Sequence, residues 1–311
     1  KKGHGEFWQK PTYSNQLGLP ILFIMKTIDT LVEDIYNLFE PSIKNNIKEK
    51  DLDKYLEQFS KSVTNNIKTV LNEQPRKQRK LSLSSIGKPT RQLWYDRHSN
   101  SEARPISPST RIKFLYGHIL EDLLILLSRV AGHTVTEEQK QVDVEGIKGH
   151  QDCKIDGELV DCKSASGYSF RKFANNNLAS DDPFGYISQI SAYSEGNNVD
   201  EAYFLAIDKQ NGNIALTRVH SLEMINAKER VQYLKKVLQS KTVPDRCYSD
   251  MPEGSSGNRK LVIGCVFCPH KRECWSDANN GKGLRAFKYE KGTTYLTHIA
   301  KEPRVQEIIN W

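Results

Sequence analysis

The sequence predicts an α/β fold with a small central mixed sheet flanked by helices, and three observations carry that expectation. Apolar residues recur at spacings of three and four through 27–73 and again through 107–132. Between 134 and 163 the period drops to two, punctuated by Gly146, Gly149 and Gly157. Helical spacing returns at 185–196, a strand pair follows at 201–219, and another helix at 221–240.

Each element has its own signal. In TIDTLVEDIYNLF, residues Ile28, Leu31, Ile35 and Leu38 form one apolar stripe, Thr27 or Asp29 can cap it, and Pro41 ends it. DLDKYLEQFSKSVTNNIKTVL repeats the pattern through Leu52, Leu56, Phe59, Val63, Ile67 and Val70, so an N-terminal helical hairpin is expected. PRKQRK, at 75–80, reads as a basic linker. LSLSSIGKPTRQLWYDRH follows, and its Arg91, Trp94 and Tyr95 suit a substrate-facing turn and helix; core packing is an equal reading for Trp94. SPSTRIKFLYGHILEDLLILLSRVAG is a strong helix, apolar at Phe114, Leu115, Ile119, Leu123, Leu126 and Leu127, and stopped by Gly132. EAYFLAIDKQNGNIALTRV is a hairpin with NGN as its turn, and SLEMINAKERVQYLKKVLQS is an amphipathic helix. The divisions expected are 1–24 as an extension or expression remnant before Met25, 25–80 as a helical region with the basic linker, 81–240 as the core, and 241–311 as a cysteine-bearing segment with a mixed tail.

Composition narrows the class. With 37% hydrophobic and 27% charged residues among 311, the chain has the makings of a soluble globular protein with a core. It has no apolar run of the roughly 18 residues a membrane helix requires, and LPILFIM at 19–25 is too short, so no membrane partner is expected. A net charge of +7 suits a nucleic-acid partner without requiring one. Without a secretory signal the compartment is expected to be cytoplasmic and reducing, where clustered cysteines serve as metal ligands more readily than as disulfides.

The most informative stretch is GHQDCKIDGELVDCKSAS, at 149–166. Strands at Gly149–Ile155 and Glu158–Lys163 with an Asp156-Gly157 turn place Asp152 almost opposite Asp161, and alternation puts Asp161 and Lys163 on one face. Two carboxylates this close repel unless a cation neutralises them, and oxygen ligands suit Mg2+ or Mn2+. Lys163 beside such an ion can orient a water or offset charge on a phosphate. Spacing alone leaves a second reading, a polar hairpin edge with a surface ion pair. Cys153 and Cys162 point to the opposite face as small buried hydrophobes.

Asp152 with Asp161-Cys162-Lys163 resembles the core motif of PD-(D/E)XK nucleases, with aspartate where glutamate is the commoner second acid. GHILE at 117–121 and SQISAY at 188–193 extend the resemblance to RecB-like nucleases and those of CRISPR spacer acquisition. It implies a restriction-endonuclease-like core, His118 as a further metal ligand with Glu121 as a lesser candidate, and Gln189 and Tyr193 as residues that contact DNA or order the site. GCVFCPHKRECW gives Cys265-x2-Cys268-x5-Cys274, with Cys247 upstream, enough thiols for a tetrahedral zinc or a four-iron cluster. The triplet resembles that of iron–sulfur members of the superfamily, which usually carry their first cysteine far upstream. Here SSIGKPTRQLWYD has none, so Cys247 stands in as fourth ligand of a 4Fe-4S cluster or, alternatively, Zn2+ that staples the C-terminal segment. His270 is a possible substitute ligand. The overall pattern resembles phage-encoded nucleases, which implies a DNA exonuclease of recombination, processing or degradation in a bacterial host cytoplasm, with a recombination or replication protein as a possible partner. An endonuclease with the same site and a catalytically inactive DNA-binding or assembly subunit are the alternatives.

Overall fold

A computed structural model describes residues 26–43, 47–72, 80–99, 108–290, 292–309 and 311, with the backbone of 13–14 and 20–21. Apart from those four backbone positions the expected extension at 1–24 lies outside the described residues, as does the basic linker up to Arg79. Strands β1 (Tyr13–Ser14) and β2 (Pro20–Ile21) pair antiparallel. Helices α1 (Leu31–Asn37), α2 (Glu49–Asn72), α3 (Thr90–His98) and α4 (Pro108–Val130) precede the main sheet. Strands β3 (Val135–Thr136), β4 (Gln141–Val144), β5 (Ile147–His150), β6 (Cys153–Ile155) and β7 (Glu158–Ala165) follow. Then come α5 (Gly167–Ala174), α6 (Tyr186–Asn197), β8 (Glu201–Asp208), β9 (Ile214–His220) and α7 (Ala227–Gln239).

The central sheet runs β3-β6-β7-β8-β9. All its neighbours are antiparallel except β7 and β8, which pair in parallel through the α5–α6 crossover. This is the mixed sheet flanked by helices that the periodicities predict. Alternation on β7 sorts its side chains. Val160 and Cys162 pack with Cys153, Tyr203 and Leu205 against Leu31, Ile35, Leu120 and Leu124 of α1 and α4. Leu159 and Ala165 pack with Phe204 against Phe173, Ile190 and Val231 of α5, α6 and α7.

The apolar stripe of α4 lies deeper along the helix than the sequence pattern suggests: Leu120, Leu124 and Leu126 are buried, while Phe114 is exposed. Both N-terminal helices pack on α4. Helix α2 buries none of its residues, so polar bonds fasten it: Ser62 Oγ and Asn66 Nδ2 each donate to the Asp122 carboxylate at 2.8 Å, and Arg111 donates to the Val70 carbonyl. The C-terminal region, expected as a mixed tail, builds a second antiparallel sheet. Its strands are β10 (Met251–Pro252), β11 (Arg259–Lys260), β12 (Arg285–Tyr289), β13 (Gly292–His298) and β14 (Glu307–Ile308), in the order β10-β11-β13-β12-β14. Leu261, Trp275 and Ala278 form its small core. Among the described residues no helix is long and apolar enough to cross a membrane.

One close approach fixes how α6 meets the rest of the chain. A Cβ on Gly87 would lie 2.2 Å from the Gly185 carbonyl oxygen, and one on Gly185 would lie 2.4 Å from Gly87 backbone, so two main-chain segments touch directly. Gly185 also has φ of 77°. Gly212, in the NGN turn, shares that φ but has nothing within 4 Å. Gly212→Ala is therefore expected to cost about 1 kcal/mol from backbone strain alone. Gly185→Ala is expected to cost several-fold more, because the overlap adds to the same strain. Denaturant unfolding of both variants checks the contrast.

Candidate active site

The β6–β7 hairpin turns on Asp156 and Gly157, at φ of 52° and 92°, the left-handed pair that a two-residue hairpin turn needs. Asp156 also anchors the turn. Its Oδ1 accepts from Thr134 N at 2.9 Å and its Oδ2 lies 2.6 Å from His133 Nδ1, whose other ring nitrogen lies 3.1 Å from Asp34 of α1. Cys153 pairs with Val160, so the next step of the same register sets Asp152 opposite Asp161. The expected strand at 149–155 is in fact broken before Asp152. Residues Ile147–His150 pair with Gln141–Val144 instead, and Gln151 is bound through its backbone to Lys140. Asp152 thus sits at the entrance of β6, where its Oδ2 accepts from Cys162 N at 2.8 Å.

Asp161 and Lys163 lie on the α6 side of β7. Asp161 is buried, and its Oδ1 accepts from Gln189 Nε2 at 2.9 Å. Its Oδ2 is ion-paired to the Lys163 ammonium, with no donor aligned on it as a hydrogen bond among the described residues. Burial and the facing Asp161 push the Asp152 carboxyl up to about 7. Burial likewise raises Asp161, against the pull of Lys163. For Lys163, burial favours the neutral amine, but the charges of Asp161 and Asp152 outweigh it and hold the ammonium well above its ordinary range. Two facing carboxylates thus share one ammonium, and that oxygen donor set fits a hard divalent cation.

His118 and Glu121 stand one turn apart on α4, with Nδ1 and Oε2 3.5 Å apart. The hydrogen bond to Glu121 raises the imidazole above its ordinary value, and Asp152 adds to the effect. Glu121 in turn contributes to raising Asp152 and Asp161, so α4 delivers both residues to the rim of the carboxylate pair. Among the described residues no three His, Cys, Asp or Glu side chains converge as a ready-made metal-binding group.

Tyr193 is buried one turn beyond Gln189, and burial raises its hydroxyl. The structure adds a residue that the sequence reading missed. The Tyr186 ring lies 5.5 Å beneath the Lys163 ammonium, a cation–π contact in a dry setting. Tyr186, Gln189 and Tyr193 recur at i, i+3 and i+7, so the helical spacing already placed Tyr186 on the same face.

Arg91, Trp94 and Tyr95 are placed elsewhere. Arg91 Nη1 donates to the Pro244 carbonyl at 2.6 Å and Trp94 Nε1 to the Ser240 carbonyl at 2.9 Å, so α3 clasps the chain leaving α7. Arg91 and Tyr95 also line a cavity of about 30 Å³ together with Cys247, Cys265, Cys268 and Cys274. The four cysteines are thus brought to one cavity as free thiols. Burial pushes Cys268 up to about 12. Arg91 Nε is buried in the same region with no hydrogen-bond acceptor among the described residues. The cysteines line this cavity without converging as a metal-binding group among the described residues. His270 faces away from this role, with Nε2 2.8 Å from Asp96 Oδ1.

No family model matches the chain, and no curated protein matches it. Among solved structures it is similar to SSO0001, at 14% identity over 68% of this chain and 93% of that one, with a TM-score of 0.38. It is also similar to the alkaline exonuclease LHK-Exo from Laribacter hongkongensis in complex with dAMP, at 15% identity over 51% and 90%, with a TM-score of 0.35. A phage-related exonuclease from Haemophilus somnus 129PT matches at 16% identity over 52% and 91%, again with a TM-score of 0.35. Similarities of this size leave the chemistry of the site to its own residues.

The raised Asp152 carboxyl makes stability depend on pH. Without metal, the folded protein keeps this proton up to about 7, whereas the unfolded chain releases it near 3.8. Between those values the folded state binds more protons, so the Asp152 contribution falls as pH rises and levels off above about 7. Asp152→Asn keeps an acceptor for the Cys162 N–H but removes the charge. It is expected to stabilise chelator-treated protein at about pH 8 by on the order of 1 kcal/mol, and to change little at about pH 4. Denaturant titrations at the two pH values check this.

Proposed function

We propose that the chain is a metal-dependent DNA nuclease of the PD-(D/E)XK type that hydrolyses phosphodiester bonds as an exonuclease. The observation that carries this reading is the cluster of Asp152, Asp161 and Lys163, with Asp161 buried and its Oδ2 held against the ammonium. Asp152 and Asp161 would hold Mg2+ or Mn2+, with His118 and Glu121 at the rim. When bound, the ion supplies Lewis acidity towards a phosphoryl oxygen and a water. The protein's own groups do the rest. The Cys162 N–H fixes Asp152, and Gln189 fixes Asp161. Lys163, kept charged by the acids and steadied over Tyr186, offsets charge gathering on the phosphate and positions the attacking water. Tyr193, one turn along α6, shares a hydrogen bond with Gln189 that helps to orient it.

DNA as substrate is supported by the +7 net charge and by the suitability of this donor set for phosphodiesters. Processing or degradation of DNA in a phage-type setting, in the cytoplasm of a bacterial host, follows from the family resemblance, as does a recombination or replication partner. Cys247, Cys265, Cys268 and Cys274 would hold a 4Fe-4S cluster, or zinc, as a structural staple between α3 and the C-terminal sheet.

The test is cleavage of end-labelled linear DNA and of closed circular DNA with Mg2+, Mn2+ or EDTA. Loss of linear DNA only, dependent on metal, is expected. Cutting of circles makes the enzyme an endonuclease, and absence of cleavage by folded, metal-loaded protein favours an inactive binding subunit. Lys163→Ala and Asp161→Ala are expected to lower the cleavage rate by about 10²–10³-fold. Gln189→Ala, which only orients Asp161, is expected to lower it by about tenfold. Separately, Cys268→Ser is expected to lose the bound metal by elemental analysis and to lower the thermal midpoint.

A further inference from the structure

A groove of about 130 Å³ has Lys88 and Pro89 on one wall and Pro183 and Phe184 on the next. Ile263 and Phe267 of the cysteine segment form the third. Phe184 is 47% exposed and Phe267 68% exposed, although both sit on fixed turns. Asp182 holds the first turn by accepting from Gly185 N at 2.9 Å and Ile187 N at 2.8 Å. The Gly87–Gly185 contact joins that turn to the Lys88 wall. Arg230 clamps the Lys88 wall from α7, donating to the Ile86 carbonyl at 3.0 Å and to the Lys88 carbonyl at 3.1 Å. Phe267 lies between Cys265 and Cys268, where the Cys268 N–H closes on the Cys265 carbonyl at 3.2 Å. Neither phenylalanine belongs to a core cluster.

One ring contact links the groove to the site. The Phe184 ring lies 5.8 Å from the Tyr186 ring, which carries the Lys163 ammonium 5.5 Å above it. Phe184, one ring contact from the ammonium, and Phe267, exposed on another wall of the groove, match a strand whose base stacks in the groove while its phosphate reaches the pocket. Resting on the nuclease reading above, we infer that Phe184 and Phe267 form a base-stacking clamp that holds an unpaired nucleotide of single-stranded DNA beside the scissile phosphate. The cysteine segment then presents half of the substrate grip in addition to bracing the fold. Cys268, Gly264, Pro89 and Gln92 line both the cysteine cavity and the groove, so the two share a wall.

The test uses the full, metal-loaded chain and a fluorescein-labelled single-stranded oligonucleotide in Ca2+, read by anisotropy. A second set of oligonucleotides carries one abasic residue at successive positions from the end. Phe184→Ala and Phe267→Ala are expected to weaken binding of the intact strand roughly tenfold each. Wild type is expected to lose a similar factor at one abasic position, where the alanine variants lose nothing further. Phe267→Trp restores affinity, and kcat stays within about twofold of wild type while KM rises. Alanine variants that bind the intact strand as wild type does overturn the clamp, as does a loss that is the same at every abasic position. If wild type neither binds nor cleaves DNA, the nuclease reading itself fails. If wild type does both and the variants keep its affinity, only the clamp fails.

Discussion

The arrangement of the chain depends on one buried ion pair, Asp161 with Lys163, on a strand whose other face is packed with apolar residues. Charges taken out of water are tolerable only when each has a partner held in place. Much of the surrounding structure meets that demand. The hairpin turn brings in the Cys162 N–H for Asp152, α6 brings Gln189 for Asp161 and the Tyr186 face for Lys163, and α4 brings His118 and Glu121 to the opening. Even so, the carboxylates outnumber the cations around them, and burial, with the facing Asp161 adding to it, raises Asp152.

The second organising feature is the C-terminal region. Arg246 ties it together, with its guanidinium 4.2 Å over the Trp275 ring and donating to the Cys274 carbonyl at 2.8 Å. Helix α3 spends Arg91 and Trp94 on the chain just ahead of it. Cys265, Cys268 and Cys274 are half-buried and Cys247 exposed, and all four line a cavity that α3 walls with Arg91, Gln92 and Tyr95.

Local periodicity made the main sheet and its helices legible in the sequence, because each signal lies within one element. The Asp152–Asp161 opposition was legible for the same reason: a two-residue turn fixes the register with no help from distant parts. The break before Asp152 was not, since it depends on β5 turning to β4. The second sheet was hidden because three of its five strands have two residues, too few to show a period. The bonds that Arg91 and Trp94 make were hidden for a different reason. Their acceptors lie 153 and 146 residues away, and an exposed-looking aromatic helix in sequence carries no mark of a partner so remote.

The parallel pairing of β7 with β8 has a consequence for the order of assembly. The β6–β7 hairpin needs only neighbouring residues, whereas β7 cannot meet β8 until the α5–α6 crossover has been closed into a loop. Gln189 and Tyr186 ride on that crossover. On a folding pathway, the hairpin's charged face must remain hydrated while its apolar face already collapses onto α4, and it loses water only when α6 docks. The carboxylate pocket thus closes only after that crossover has formed, later than the hairpin that supplies its acids.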